Sequence, residues 1–98
     1  MTQRIFFDPA ADFELREAAD FYDLESPGLG DRFLDVVQSS LRELLEFPQS
    51  CPILADEQRK LVLERFPYYI VYWTDGAVVE VYAVAHERRR PGYWQDRP

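Results

Sequence analysis

The stretch Tyr69-Ile70-Val71-Tyr72-Trp73-Thr74-Asp75-Gly76-Ala77-Val78-Val79-Glu80-Val81-Tyr82-Ala83-Val84-Ala85 decides how this chain folds. Both arms are rich in β-branched and aromatic residues, which suit a pleated, half-buried surface. Asp75-Gly76 between them is a hairpin signal, because the tightest hairpin turns hold both central residues at positive φ. The reading is an antiparallel pair, Tyr69 to Thr74 and Ala77 to Ala85. With a two-residue loop, Ile70, Tyr72, Val79, Val81 and Ala83 share one face. Tyr69, Val71, Trp73, Val78, Glu80, Tyr82 and His86 share the other. The first set suits a core under a helical layer. The second mixes large aromatics with polar groups, as a partly open binding face does.

Working outward, Lys60-Leu61-Val62-Leu63-Glu64 reads as a strand joined to Tyr69 by a turn at Phe66-Pro67-Tyr68. Gln49 to Gln58 has little periodicity and contains Pro52, so it reads as a loop. Before it lies a helix from about Leu29 to Glu46, in which Leu29, Phe33, Val37, Leu41, Leu44 and Leu45 recur at helical spacing. Phe47-Pro48 stops it. Ser26-Pro27-Gly28 separates it from an earlier helix, about Pro9 to Leu24. There Asp8 is placed to accept from the first free N–H groups, and Pro9 suits the first helical position. Ala10, Phe13, Ala18, Phe21, Tyr22 and Leu24 form its apolar arc, while Asp12, Arg16, Asp20 and Asp23 lie opposite. Glu14 and Glu17 fall inside the arc. A lone buried carboxylate is costly, so each is expected at an edge or against an arginine. Arg4-Ile5-Phe6-Phe7 reads as a first strand. The expected architecture is α+β in two layers: an N-terminal strand and a helical hairpin packed on a mostly antiparallel sheet, in the order β-α-α-β-β-β.

The 98 residues fit one domain spanning 1–98. Hydrophobic residues make up 47%, enough for a core and against disorder. Cys51 is the single cysteine, which excludes an internal disulfide and points to a reducing, cytoplasmic setting. No apolar run approaches a membrane span, and no signal peptide is visible. The net charge is −7, unevenly spread. Residues 1–58 carry 4 basic and 13 acidic side chains, whereas residues 59–98 carry 7 basic and 5 acidic. Any contact with nucleic acid must use the second part, since the first repels phosphate. One histidine and one cysteine offer no metal-ligand spacing, and no cofactor is expected.

Three motifs occur in order: Ser26-Pro27-Gly28-Leu29-Gly30 followed by Arg32-Phe33-Leu34; Arg65-Phe66-Pro67-Tyr68-Tyr69-Ile70-Val71-Tyr72; and Val81-Tyr82-Ala83-Val84-Ala85-His86-Glu87-Arg88-Arg89-Arg90-Pro91-Gly92-Tyr93-Trp94. In these the chain resembles the ParE/RelE toxin superfamily of type II toxin–antitoxin systems, including members labelled plasmid-stabilisation proteins. The resemblance implies a toxin neutralised by a cognate antitoxin that wraps its surface with an extended or helical segment. It also implies one of two activities. RelE-like members are ribosome-dependent messenger-RNA endonucleases. ParE-like members bind DNA gyrase, trap cleaved DNA and catalyse no reaction of their own.

Cleaving RNA requires the 2′-hydroxyl deprotonated, the phosphate stabilised and the leaving oxygen protonated. Set against the RelE-like pattern, Lys60 and Tyr93 match, while Val62, Tyr69 and Glu87 stand where cationic residues are expected. A carboxylate in place of a phosphate-clamping cation adds repulsion, so the resemblance favours the ParE-like, non-enzymatic reading. Arg65, His86, Arg89 and Tyr93 form the substitute set that a ribonuclease would use. A degenerate toxin that only binds its antitoxin is the third alternative. Residues expected to contact target or partner are Arg59, Lys60, Arg65, His86, Arg88, Arg89, Tyr93 and Trp94. Each has a plainer role to weigh: His86 as a hydrogen-bonded strand end, the three arginines as a solvated exit, Arg59, Lys60 and Arg65 as partners of Asp56, Glu57 and Glu64, and the aromatics as packing.

Overall fold

The computed structural model describes residues 4–97. Strand β1 (Arg4–Phe7) leads into α1 (Pro9–Glu25) and α2 (Leu29–Glu46), followed by β2 (Ile53–Ala55), β3 (Gln58–Val62), β4 (Tyr68–Thr74), β5 (Val78–His86) and a 3₁₀ turn, Tyr93–Asp96. The strands form one sheet in the order β1-β5-β4-β3-β2. β1 pairs with β5 in parallel, and all other pairs are antiparallel. The α+β architecture is therefore as expected. One strand lies where a loop was expected: Ile53–Ala55 forms the outer edge.

The β2–β3 connection explains that difference. Asp56 and Glu57 both have positive φ, 50° and 65°, and they are the two residues between the paired Ala55 and Gln58. This is the tight turn with both central residues at positive φ that is expected at Asp75-Gly76. At Asp75-Gly76 only the glycine has positive φ, 96°. Thr74 pairs with Val79, so that loop has four residues rather than two. Asp75 closes it by accepting from the N–H groups of Ala77 and Val78, both at 2.9 Å. These two bonds hold its carboxyl below the ordinary carboxylate range.

The helices meet at Gly30, where an added Cβ would lie 2.3 Å from the Ala19 carbonyl oxygen. The Gly30 N–H donates to Asp23 Oδ1 at 2.8 Å, so Asp23, expected only to face water, joins the two helices. Asp8 makes no side-chain cap bond, contrary to expectation, and its N–H extends the sheet by donating to the Val81 carbonyl at 2.9 Å. α2 buries Phe33, Val37, Leu41 and Leu44, as its spacing foretells. α1 instead buries Ala11, Ala18 and Ala19. Small side chains let α1 lie close to α2 and β5, and this turns Phe13, Phe21 and Leu24 outward. These three were expected in the core; Leu24 is 88% exposed.

Two apolar layers result. Between helices and sheet lie Phe33, Val37, Ile70, Tyr72, Val79, Val81 and Val84. On the opposite face of the sheet, the chain after β5 folds back so that Tyr93 and Trp94 cover Tyr69, Val71, Ala83 and Ala85. Ala83 was expected in the first layer. The register shows why it is not: Tyr72 pairs with Val81 but Val71 pairs with Ala83, leaving Tyr82 as an extra residue. This bulge reverses the alternation of side chains beyond it.

Two outcomes are expected. Gly30→Ala should destabilise the fold by about 1–3 kcal/mol, the usual cost of overpacking, read as a lower midpoint in thermal unfolding. Because the folded Asp75 carboxyl is depressed, its contribution is present above the unfolded pKa and is lost as pH falls through the folded one. The stability difference between the wild type and Asp75→Ala should therefore be full at neutral pH and shrink in acid, as read by urea unfolding at both.

Candidate functional site

Beyond Tyr82, β5 runs past the end of β1 and, among the described residues, no strand pairs with it on that side. α1 crosses here, and Glu14 reaches the strand with its side chain only 11% exposed. Its Oε1 accepts from the Val84 N–H at 3.0 Å. Its Oε2 accepts from the Tyr93 hydroxyl at 2.5 Å and from Arg97 Nη2 at 2.5 Å, with Arg89 Nη1 at 3.5 Å. Arg97 also donates through Nη1 to the Tyr82 carbonyl at 2.6 Å. The arginines contact Tyr93 in a second way: the Arg89 guanidinium lies 3.7 Å from the ring centre and that of Arg97 lies 5.1 Å from it. Burial, and then the bond to Glu14, push the Tyr93 hydroxyl well above the ordinary tyrosine range, so it remains a donor. The expectation that Glu14 sits at an edge or meets an arginine is met by the second of these, through Arg97 and Arg89.

The bulge also moves His86, which was expected on the far face. It lies instead on the helix side, lining a cleft of about 320 Å³ with Glu14, Glu17, Phe21, Tyr68 and Arg89. Its Nδ1 accepts from the Arg88 N–H at 3.0 Å, and its ring meets Tyr68 edge-on at 5.0 Å. Lys60 and Trp94 are on the opposite face, beside a groove of about 480 Å³ that includes Tyr69 and Glu87. The Lys60 ammonium sits 4.4 Å from the Tyr69 ring centre, and the Trp94 indole N–H donates to Gln58 Oε1 at 2.9 Å. Arg65 is elsewhere again, in a turn with φ 71°, next to Arg32, Tyr22 and Phe66. Arg59 donates to the carbonyls of Gln49 and Cys51, at 2.9 and 2.6 Å, and so secures the loop before β2. Among the described residues, none of Arg59, Lys60 and Arg65 pairs with Asp56, Glu57 or Glu64, the partners considered for them.

The eight candidate residues thus do not gather at one place: His86, Arg89 and Tyr93 meet near Glu14, Lys60 and Trp94 lie on the opposite face, and Arg65 and Arg59 each lie elsewhere. The substitute nuclease set is not assembled: Arg65 lines a different cavity, and the Tyr93 hydroxyl is held by Glu14. His86 and Arg89 share their cleft with two carboxylates, which repel phosphate. The three consecutive arginines separate as well. Arg89 folds back on Tyr93, Arg90 pairs with Asp96 at 3.0 Å, and Arg88 has no side-chain ion pair among the described residues. Sequence reasoning missed Arg97 and the gathering role of Glu14. The available signal was a carboxylate inside an apolar arc. Among the described residues no group of three or more His, Cys, Asp or Glu side chains converges as metal ligands would, and no helix is long and apolar enough to cross a membrane.

A sequence model described as the ParE toxin of the type II toxin–antitoxin system, parDE, matches residues 5–91. No curated protein matches the sequence significantly. Among solved structures, one titled as a chromosomal ParDE toxin–antitoxin system from P. aeruginosa superposes with a TM-score of 0.62 at 18% identity, covering 86% of this chain and 95% of the other. At that identity the likeness speaks for the fold. The match over residues 5–91 carries the assignment: the chain belongs to the ParE toxin family of type II toxin–antitoxin systems.

Proposed function

We propose that this toxin acts in the cytoplasm as a single domain, binds DNA gyrase and holds it with its DNA cleaved, without catalysing a reaction of its own. Family membership implies an antitoxin partner that silences it. The observation that carries the gyrase reading is the cationic turn Arg88–Arg90, exposed at the end of β5 and tied to α1 through Arg89 and to the far sheet face through the nearby Trp94. Exposed arginine on a fixed support suits recognition of an acidic protein or phosphate surface, because little side-chain and backbone freedom is lost on contact. The scattering of Arg65, His86, Lys60 and Tyr93 supports a binding role over RNA cleavage.

The test is tightly induced expression in a bacterial host carrying a DNA-damage reporter. Growth arrest with the reporter switched on is expected. Arg88→Glu should weaken binding to purified gyrase at least about tenfold and relieve arrest, with an unchanged circular dichroism spectrum. Arrest with a silent reporter and new transcript ends would replace this reading with ribonuclease action. Absence of arrest at any expression level would mark a chain that only binds its antitoxin.

A further inference from the structure

A strand edge carries unpaired N–H and C=O groups that must find partners or remain open to another strand. β1 covers β5 from Val78 to Val81, and Asp8 extends the cover to the Val81 carbonyl. After that point three backbone groups of β5 are satisfied by side chains or by the following turn. The Tyr82 carbonyl takes the Arg97 guanidinium, the Val84 N–H takes the Glu14 carboxylate, and the His86 carbonyl takes the Arg89 N–H at 3.0 Å. Glu14 and Arg97 approach from opposite layers and join each other across the edge. Together they supply one acceptor and one donor to the strand, as a neighbouring peptide would.

We infer that the C-terminal turn is a clamp that closes on Glu14 and opens as a unit, sealing the Tyr82–His86 edge while shut. Arg89, Tyr93 and Arg97 all bring donors to the same carboxylate oxygen. Loss of that oxygen's charge therefore weakens these three bonds at once, whereas the Arg90–Asp96 pair is separate and exposed. Opening uncovers the edge and lifts Trp94 from Gln58, Tyr69 and Val71. The helix-side core does not depend on it, because its buried residues all precede the turn. Glu14 is in this sense a positioning residue for the arginine turn. The effect on toxicity rests on the gyrase reading; the opening itself does not.

Residue-resolved hydrogen exchange by NMR on the full chain tests the clamp. In Glu14→Gln and in Arg97→Met, the Val84 amide and the Trp94 indole N–H should exchange about tenfold faster or more, a loss of local protection, while amides of Leu61, Ile70 and Val79 keep their wild-type rates. The double variant should add little to either single change, since both break one unit. Arg90→Ala should leave all these signals unchanged, and Tyr93→Phe should give a smaller acceleration at the same two positions. Uniform acceleration across β3 and β4 would overturn the inference, by making the cluster part of global stability. Unchanged Val84 and Trp94 rates in both single variants would overturn it too. A gyrase assay on the same proteins separates the two claims: a variant with an opened clamp that still traps gyrase leaves the clamp standing and removes only its bearing on toxicity.

Discussion

One extra residue, Tyr82, governs the far end of this molecule. Strand side chains alternate between faces, so an inserted residue exchanges the roles of all those after it. Before the bulge, Val79 and Val81 fill the helix-side core; beyond it, Val84 does so while Ala83 and Ala85 turn to the other face. Without the bulge His86 would lie on the far face of the sheet rather than beside α1. The small Ala83 and Ala85 then leave room for Tyr93 and Trp94 to lie on the sheet. One strand thereby supports two apolar layers.

The same offset sends the Val84 N–H toward Glu14. A carboxylate that is mostly out of water is tolerated only when its oxygens are well supplied with donors, because desolvation otherwise exceeds the Coulombic gain. Glu14 has a backbone N–H, a phenol and two guanidinium groups. Such an arrangement favours one geometry over its alternatives, since a shifted turn would leave charge buried and unmatched. The Arg88–Arg90 tract is thus held between β5 and an ion-paired anchor.

The order of elements, α2 and its buried face, and the hairpin core at Ile70, Tyr72, Val79 and Val81 were legible because they follow from periodicity. Parity protected the last of these: the hairpin loop is two residues longer than read, and two extra residues preserve the face. A single extra residue does not, which is why Ala83 and His86 were misplaced. β2 was hidden because Ile53-Leu54-Ala55 is too short for a pattern, and its turn uses Asp56-Glu57, a pair without glycine or asparagine. Phe13, Phe21 and Leu24 look like core on a helical wheel, but tertiary packing selected the alanines. At the site, Glu14 was visible as an anomaly, whereas its meeting with Arg97 depends on a fold-back that no local pattern encodes.

The parallel pairing of β1 with β5 has a consequence for how the protein comes into being. Arg4 lies beside Val78, and Phe7 beside Val81. β1 therefore has no strand neighbour until almost all the other described elements have followed it from the ribosome. Until then α1 lacks the strand on which Ala11 and Ala18 rest, and Glu14 lacks Val84. Non-local pairing of this kind forms late, because loop closure costs entropy before the contacts repay it. The growing chain consequently leaves its apolar surfaces uncovered until β5 has been made.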